Sequence, residues 1–215
     1  MTGVNFGNKH SFDDFDLWLS GVSEPPPLPN TSYVEIPGQS GALDMSESLA
    51  GFVTYGQRTC TYNFTVRAYT KKQWDAVYNN VVSALHGRRM DFAPDFVGNY
   101  HFTGRLSVSG AYSNGNVFHE IKVTATADPF KLKNSLTIIT ENIDTTGTII
   151  LQNSTMPTVP AFNSTAACQI TFGDTTYSIP AGNTTIPGFV LMPGENIIQV
   201  TGTTTLTISF QEGEL

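Results

Sequence analysis

Residues 70–89, TKKQWDAVYNNVVSALHGRR, decide the fold, because they form the one convincing helical pattern in the sequence. Thr70 and Gln73 have the spacing of a capping box, in which each side chain satisfies a backbone donor at the start of a helix. Gly87 supplies the left-handed residue that commonly follows a last helical turn. The apolar residues between them recur at helical spacing and form one stripe: Trp74, Val77, Tyr78, Val81, Val82 and Leu85. Such a stripe needs a sheet to cover, so we expect a lone helix packed on a sheet.

The segments on both sides of this helix alternate between apolar and polar residues, as half-buried strands do. Residues 58–68 alternate before the helix, and residues 100–108 and 120–127 alternate after it. An Asn-Gly pair in the connection between the last two segments predicts a hairpin turn. Gly104 falls on the apolar side of its strand, where backbone or a ring can approach closely. We therefore predict an α+β core that ends near residues 128–131.

The N-terminal part is less regular. Residues 6–19 place bulky apolar residues around a carboxylate cluster, which is either a calcium loop or a solvated strand edge: Asp13, Asp14 and Asp16. The glycine and the terminal glutamate of an EF-hand are missing, which favours the strand edge. Residues 24–30 carry four prolines and are expected to form a stiff connector. Residues 33–36 follow as a short strand.

Beyond residue 133 the composition changes, because charges nearly vanish and Thr, Ile and Pro dominate. Short strands are predicted at residues 148–151, 169–172, 176–179, 189–191, 196–200 and 206–210. Brief strands separated by glycine and proline turns are typical of a small β-sandwich or jelly roll. The fold class is therefore mainly β, with an α+β domain at residues 1–132 and a β-sandwich domain at residues 133–215.

The amino-acid composition limits the classes of function that this chain can have. The chain of 215 residues is 40% hydrophobic and 13% charged, with a formal net charge of -7, a profile of extracellular or virion β-proteins. An acidic balance argues against nucleic-acid binding, which draws its energy from Lys and Arg, so DNA is expected to pass nearby without specific binding. No apolar run is long enough to span a bilayer, and the start does not resemble a signal peptide, so we predict folding in a cytosol and no membrane insertion. Cys60 and Cys168 are expected to be buried thiols.

No residue pattern indicates catalysis or a cofactor. The histidines lack metal-ligand spacing, and the last two are expected on polar strand faces: His10, His86, His101 and His119. Asp91 and Asp95 resemble paired carboxylates of a glycosidase, but a turn in which Asp caps the backbone is the favoured interpretation. We predict no enzyme, no metal and no cofactor.

The order of motifs resembles a known family along nearly the whole chain. The resemblance is carried by residues 6–17, 34–38, 41–44, 85–88, 104–106 and 128–131, together with Tyr55, Arg58, Trp74 and Tyr100. Together they are similar to the distal tail proteins (Dit) of siphophages, the long-tailed phages with non-contractile tails. Asp16 departs from the pattern, since many relatives have glycine there. The C-terminal domain also lacks room for the long arm that some members use to hold receptor-binding proteins.

The resemblance implies a structural virion protein at the tail tip, assembled in the cytoplasm of the bacterial host. An N-terminal belt domain would build a hexameric ring, and a galectin-like C-terminal domain would lie outside it. The implied partners are other copies of the chain, the tail-tube protein, the tail-associated lysin or baseplate hub protein, and a receptor-binding protein involved in host attachment.

Two further hypotheses concern interaction surfaces. Residues 85–92 are predicted to form a subunit contact through Arg88, Arg89 and Phe92, because a rigid helix end beside paired arginines is a natural docking corner. If carboxylates face the ring lumen, they would repel DNA phosphates. The alternative function is a carbohydrate-binding module, in which the C-terminal sandwich recognises host cell-wall saccharide. Such sites stack sugars on exposed aromatic rings, whereas the aromatic residues here fall at core-like positions.

Overall fold

The structure is a computed structural model that describes residues 2–215. The chain forms two compact units, of which unit 1 ends at Pro129 and unit 2 covers Phe130–Leu215. Strands dominate both units, which confirms the predicted mainly β fold. Within residues 2–215 no helix is long and apolar enough to cross a membrane.

Unit 1 combines antiparallel strands with one long helix. Its elements are β1 (Val4–Phe6), β2 (Lys9–His10), β3 (Trp18–Ser23), β4 (Tyr33–Glu35), β5 (Ala42–Asp44), β6 (Arg58–Arg67), α1 (Lys71–Leu85), β7 (Arg89–Pro94), β8 (Tyr100–Ala111) and β9 (Phe118–Ala127). Seven strands pair in the order β2-β1-β7-β8-β9-β6-β3, and β4 and β5 form a separate hairpin. The strands predicted around the helix are therefore neighbours in one sheet.

Helix α1 begins and ends where its sequence predicts. The Thr70 hydroxyl accepts a hydrogen bond from the Gln73 N–H at 3.2 Å, while the Gln73 side chain accepts one from the Tyr69 N–H at 2.8 Å. Gly87 has φ 75°, in the left-handed region that favours glycine. Its N–H donates to the Leu106 carbonyl, which fastens the helix end to β8. These caps fix both ends of the helix against the sheet.

The apolar stripe of α1 covers β8 where that strand carries a glycine. A Cβ at Gly110 would lie 3.2 Å from the rings of both Trp74 and Tyr78, so the missing side chain lets the helix approach. Trp74, Val81 and Leu85 are buried in this contact layer. The sequence-based expectation of a helix packed on a sheet is confirmed.

Aromatic rings fill the core on the same side of the sheet. Phe6 of β1 lies 6.3 Å from both Tyr62 and Phe64 of β6, measured between ring centroids. In the strand order three strands separate β1 from β6, so the sheet must curve strongly to bring these rings together. Phe92 and Phe102 stack at 5.5 Å between them. The curvature encloses an aromatic core that neither strand could form alone.

Unit 2 is a sandwich of two four-stranded sheets. Its strands are β10 (Lys131–Lys133), β11 (Thr137–Ile143), β12 (Thr146–Asn153), β13 (Ala161–Ser164), β14 (Cys168–Phe172), β15 (Thr175–Ile179), β16 (Gly182–Thr185), β17 (Gly194–Thr201), β18 (Thr204–Phe210) and β19 (Gly213–Glu214). The sheets have the orders β11-β18-β13-β16 and β12-β17-β14-β15, and one apolar core contains residues of both. The prediction of a strand at residues 189–191 is wrong. Pro187, Gly188 and Pro193 interrupt this segment, which nevertheless buries Phe189 and Leu191 completely.

The ends of unit 2 are joined by β10 and β19. Leu132 pairs with Gly213, and Lys133 Nζ lies 2.7 Å from the Glu212 carboxylate, which also accepts a hydrogen bond from the Thr137 hydroxyl. Partial burial opposes ionisation of Glu212, but the bonds from Lys133 and Thr137 and the charge of Lys133 outweigh it. The pKa of Glu212 is therefore lowered.

The close approach at Gly104 predicts a steric effect. A Cβ there would lie 2.7 Å from the Thr126 carbonyl oxygen and 2.8 Å from the Ala127 Cα, which are backbone atoms of the neighbouring strand. We expect Gly104→Ala to lower the free energy of unfolding by about 1–3 kcal/mol, the usual cost of overpacking. Urea denaturation measures it. The exposed-face control Ser107→Ala in the same strand should change stability by less than about 0.5 kcal/mol.

The lowered pKa of Glu212 predicts a pH-dependent effect on unit 2. Since the folded state lowers this pKa, the carboxylate stabilises unit 2 fully above the ordinary glutamate pKa of about 4.3 and loses this effect as the pH falls through the lowered value. We expect Glu212→Gln to cost about 1 kcal/mol at pH 7 and nothing at pH 2. Thermal unfolding across this range tests it. A loss that is equally large in a Lys133→Met background would contradict the assigned ion pair.

Candidate functional site

The residues considered for chemistry come together in one place, where the His10 ring lies 3.3 Å from the Asp95 carboxylate and 3.1 Å from the Asp13 carboxylate. Among residues 2–215 no group of three or more His, Cys, Asp or Glu residues could hold a metal ion. Asp91 accepts a hydrogen bond from the Thr103 hydroxyl, whereas Asp95 accepts bonds from Gly3 and Asn5 at the N-terminal strand. The two carboxylates therefore bind different parts of the chain, Asp91 binding β8 and Asp95 binding the N-terminal residues.

The acidic cluster forms a turn between β2 and β3, not the strand edge that the sequence suggested. The Asp14 carboxylate accepts a hydrogen bond from the His10 N–H at 2.7 Å. Asp16 has φ 54°, and it is the one non-glycine residue with positive φ within residues 2–215. A left-handed backbone explains why glycine would fit this position, and Asp is among the residues that tolerate it.

The prediction that His119 lies on a polar strand face is wrong. Its ring is buried, and it stacks 4.7 Å from Tyr112 between centroids. The Nδ1 atom accepts from the Ser113 N–H and the Nε2 atom lies 3.1 Å from the Ala68 carbonyl oxygen, so both nitrogens bond to backbone. His86 ends α1 and accepts from the Val108 N–H at 3.0 Å. These two histidines are structural.

The predicted subunit-contact residues divide into surface and core. Arg88 is exposed and donates to the Ser83 carbonyl at 3.2 Å, and Arg89 lies 2.5 Å from the Asp128 carboxylate. Phe92 is only 1% exposed and belongs to the aromatic core, so its side chain is not available for a subunit contact. The prediction must be corrected for Phe92, because alternation in β7 turns this ring inward.

A third arginine, which the sequence analysis did not select, completes the surface. Arg105 of β8 lies directly opposite Arg89 of β7, and its guanidinium donates to the Gly87 carbonyl at 2.6 Å. We call Arg88, Arg89 and Arg105 the arginine surface. Residue alternation places Arg105 on the exposed face, but only the β7–β8 register shows that it joins the other two.

A long segment between β3 and β6 is the second exposed feature of unit 1. We call residues 28–55 the arm. Pro29 and Tyr55 form a bridge at its base, and the Gly56 N–H donates to the Leu28 carbonyl at 2.9 Å. Beyond this base, β4 and β5 pair through three residue positions each, and all six residues are exposed. The hairpin therefore has no buried face of its own.

The arm exposes an unusual number of large apolar side chains. They are Leu28, Tyr33, Val34, Ile36, Leu43, Met45, Leu49 and Val53. Leu49 is fully exposed and Leu28 is 78% exposed. Single exposed apolar residues are normal, but eight of them within residues 28–53 make the arm a candidate interaction surface.

A partly buried network fastens the root of the arm, by which we mean the segment of residues 24–27 that leads into it. The Tyr62 hydroxyl donates to the Glu24 carboxylate at 2.6 Å, and the Arg58 guanidinium donates to the Glu24 carbonyl at 3.0 Å. Burial, followed by the hydrogen bond and charge of Glu24, raises the pKa of Tyr62 well above its ordinary value, so the hydroxyl remains a donor. Burial likewise raises the pKa of the neighbouring Cys60 thiol to about 11, which makes it unreactive.

The aromatic residues of the unit 2 strands and turns face its core. Phe162 and Phe189 pack edge to face at 5.0 Å between centroids, and Phe172 stacks on Phe189 at 4.7 Å. Tyr177 also packs on Phe189, and Phe210 is buried. These rings are therefore not presented for sugar stacking, and no observation favours the carbohydrate-binding alternative.

A solved structure is similar to this chain over its whole length. No protein-family model and no curated protein matches the sequence. The structure is similar to the crystal structure of the Dit protein of SPP1, described as a paradigm of the hub adsorption apparatus in phages that infect Gram-positive bacteria. The TM-score is 0.72 at 14% sequence identity, and the alignment covers 100% of both chains. The chain has a Dit-like fold.

The Dit-like fold extends through both units, so the arginine surface and the arm lie within it. Arg105 shares β8 with the buried Leu106 and Val108, so core packing fixes its strand. The arm, in contrast, is held to unit 1 through its base and root. The fold thus presents one rigid charged surface and one peripheral apolar element.

The root network predicts that a conservative substitution weakens the attachment of the arm. Tyr62→Phe keeps the ring but removes the hydroxyl that donates to Glu24. Hydrogen bonds to charged groups contribute about 1.5–3 kcal/mol, so we expect a comparable fall in the free energy of unfolding. Hydrogen exchange at Asn30 and Gly56 should also accelerate. Tyr69→Phe, whose ring is exposed, is the matched control, and equal effects of both variants would contradict the assigned network.

Proposed function

We propose that this chain is a structural component of a phage tail tip, the distal hub that connects the tail tube to the host-adsorption apparatus. The observation that carries the proposal is the likeness of the entire chain to the SPP1 Dit hub protein, with both units included. A likeness confined to one sandwich would support only a common β fold. The proposed role is to hold neighbouring proteins, without catalysis.

In this proposal unit 1 is the belt domain and assembles six copies into a ring. The boundary proposed from the sequence, between residues 132 and 133, lies three residues beyond the end of unit 1 at Pro129, and unit 2 is the galectin-like C-terminal domain. One side of the ring binds the tail-tube protein, and the other binds the tail-associated lysin or baseplate hub protein. A receptor-binding protein is the peripheral partner, and assembly takes place in the host cytoplasm.

Charge on the exposed sheet face bears on the passage of DNA through such a ring. This face carries Arg105 and Lys122, but also Asp91 and Glu120. The net charge of -7 is therefore not concentrated there. A strongly repulsive lumen would require carboxylates from other segments, so the acidic-lumen hypothesis gains no support from this face.

Light scattering coupled to size-exclusion chromatography tests the assembly directly. We expect a particle of six times the chain mass, and negative-stain images should show closed rings. The purified tail-tube protein should bind one side of these rings. A chain that stays monomeric at every concentration and degrades host cell walls in zymograms would overturn the proposal.

Reversal of the paired arginines should disrupt the ring. We expect Arg88→Glu with Arg89→Glu to lower the ring-forming affinity at least about tenfold, because it replaces two cations at a proposed subunit contact by anions. Mass measured across a dilution series gives this affinity. The control Lys71→Glu with Lys72→Glu introduces the same charge change at the helix start, where acidic residues are favourable. Intact rings in the arginine variant, with an unchanged dilution midpoint, would remove these residues from the contact.

A further inference from the structure

We propose that Asn114 deamidates spontaneously in the folded chain, with the backbone nitrogen of Gly115 as the attacking group. The two residues lie in the connection between β8 and β9, and they form the one Asn-Gly pair in the sequence. Glycine carries no Cβ, so its nitrogen can approach the preceding asparagine side chain more closely than that of any other residue. The connection is therefore a site of covalent modification, which adds to the proposed role in assembly.

The reaction is an internal ring closure followed by hydrolysis. The Gly115 nitrogen loses its proton to hydroxide and forms a bond to Cγ of Asn114, while the side-chain amide takes a proton from water and leaves as ammonia. The product is a five-membered succinimide. Water then adds to one of the two ring carbonyls and breaks its bond to nitrogen. Attack on the side-chain carbonyl gives aspartate, and attack on the main-chain carbonyl gives isoaspartate, so water is the one co-reactant.

Both reacting groups are accessible in the structure. Asn114 and Gly115 are exposed, and within residues 2–215 neither the Asn114 amide nor the Gly115 N–H makes a hydrogen bond. Gly115 has φ 84°, and no atom lies within 4 Å of the place that a Cβ would occupy. An open cavity of about 590 Å³, lined in part by Ser113 and Asn116, borders the turn and gives water access to it.

The next asparagine differs in both features that the reaction requires. The Asn116 side chain donates a hydrogen bond from Nδ2 to the Ser113 hydroxyl at 3.2 Å, so its amide is engaged. Val117 follows it, and a β-branched side chain crowds the backbone nitrogen that would have to attack. Asn116 is exposed like Asn114, so the comparison separates these two features from exposure alone.

The flanks of the turn are bonded to the rest of unit 1. The Ser113 N–H donates to Nδ1 of His119 at 3.4 Å, and the Val117 carbonyl accepts from the Ala68 N–H at 2.9 Å. The Asn116 N–H donates to the Ser113 carbonyl at 3.4 Å, which closes the turn itself. The tip that carries the reacting pair is thus free, whereas the residues on both sides of it are anchored.

Isoaspartate would disturb these anchors. It routes the main chain through the former side-chain carbons and adds one methylene to the backbone of the turn. A turn with fixed ends cannot accommodate an extra main-chain atom unless one anchor moves. The two bonds of 3.4 Å, donated by Ser113 and Asn116, are longer than the bond between Ala68 and Val117 and should break first. Each conversion also adds one negative charge to a chain of net charge -7.

One consequence rests on the proposed function. A protein that is built into a phage particle is not replaced after assembly, so each conversion persists and the converted fraction grows with the age of the particle. In a ring of six copies the added charges accumulate at equivalent positions and repel one another. Deamidation would therefore record the age of the assembly and alter its charge.

Peptide mapping of the aged full chain tests the site. Trypsin releases residues 106–122 as one peptide that contains both Asn114 and Asn116, and fragmentation distinguishes the two. The chain is aged in mildly alkaline heavy-oxygen water, either folded or unfolded in guanidinium chloride. We expect Asn114 to gain one heavy oxygen at rates that agree within about threefold between the two states, because an exposed turn requires no opening. Asn116 should convert at least about tenfold more slowly.

Two variants and a second measurement complete the test. Asn114→Gln would have to form a six-membered ring and should convert at least about tenfold more slowly, since an additional rotatable bond separates the reacting atoms. The matched control Asn116→Gln should leave the conversion of Asn114 unchanged. Hydrogen exchange then compares the purified isoaspartate form with fresh chain. We expect exchange at the Ser113 N–H to accelerate at least about tenfold and exchange at the Ala68 N–H to stay within about threefold.

The outcomes separate this inference from the proposed function. Preferential conversion at another asparagine, or conversion of Asn114 only in the unfolded chain, would overturn the proposed site. Unchanged exchange at Ser113 in the isoaspartate form would overturn the expected loosening of the turn. Both measurements can be made on monomers, so they do not depend on ring formation. Absence of rings in light scattering would remove the proposed function and leave the modification site in place.

Discussion

The structure of unit 1 depends on one packing constraint, the closure of a strongly curved sheet over aromatic rings. Phe6 on β1 meets Tyr62 on β6 only if the strands between them bend toward each other. Helix α1 completes this core by approaching β8 at Gly110. Both candidate interaction surfaces depend on this closure, since β7 and β8 carry the arginines and Tyr62 fastens the root of the arm. Aromatic burial therefore sets the geometry from which any assembly would start.

Much of this fold could be predicted because its signals are local. Helical spacing between Thr70 and Gly87, together with residue alternation in β6, β8 and β9, identified the elements that build the first core. Residue alternation does not identify core residues that lie outside regular strands. Phe189 and Leu191 form an apolar run like that of a strand, yet prolines on both sides prevent continuous pairing, and the side chains enter the core from an irregular segment.

The candidate site could be predicted less completely from the sequence, because its composition depends on the register between β7 and β8. Arg88 and Arg89 were found through adjacency in the chain, whereas Arg105 joins them only through the β7–β8 pairing. Phe92 was selected by the same adjacency, but strand alternation turns it inward. His119 was assigned to the wrong face, although it alternates with the exposed Phe118 and Glu120. The arm gave only a short strand signal, and its exposure could not be inferred from composition.

The contrast between the two surfaces has an energetic consequence for assembly. An element with exposed apolar residues on both sides threatens solubility in the free subunit, and the acidic residues interspersed in the arm oppose its association with other arms. Charge pairs at an interface contribute more to specificity and association rate than to affinity. The apolar side chains would then supply the affinity after docking. The same segment can thus keep free subunits apart before assembly and be stabilised by apolar burial within it.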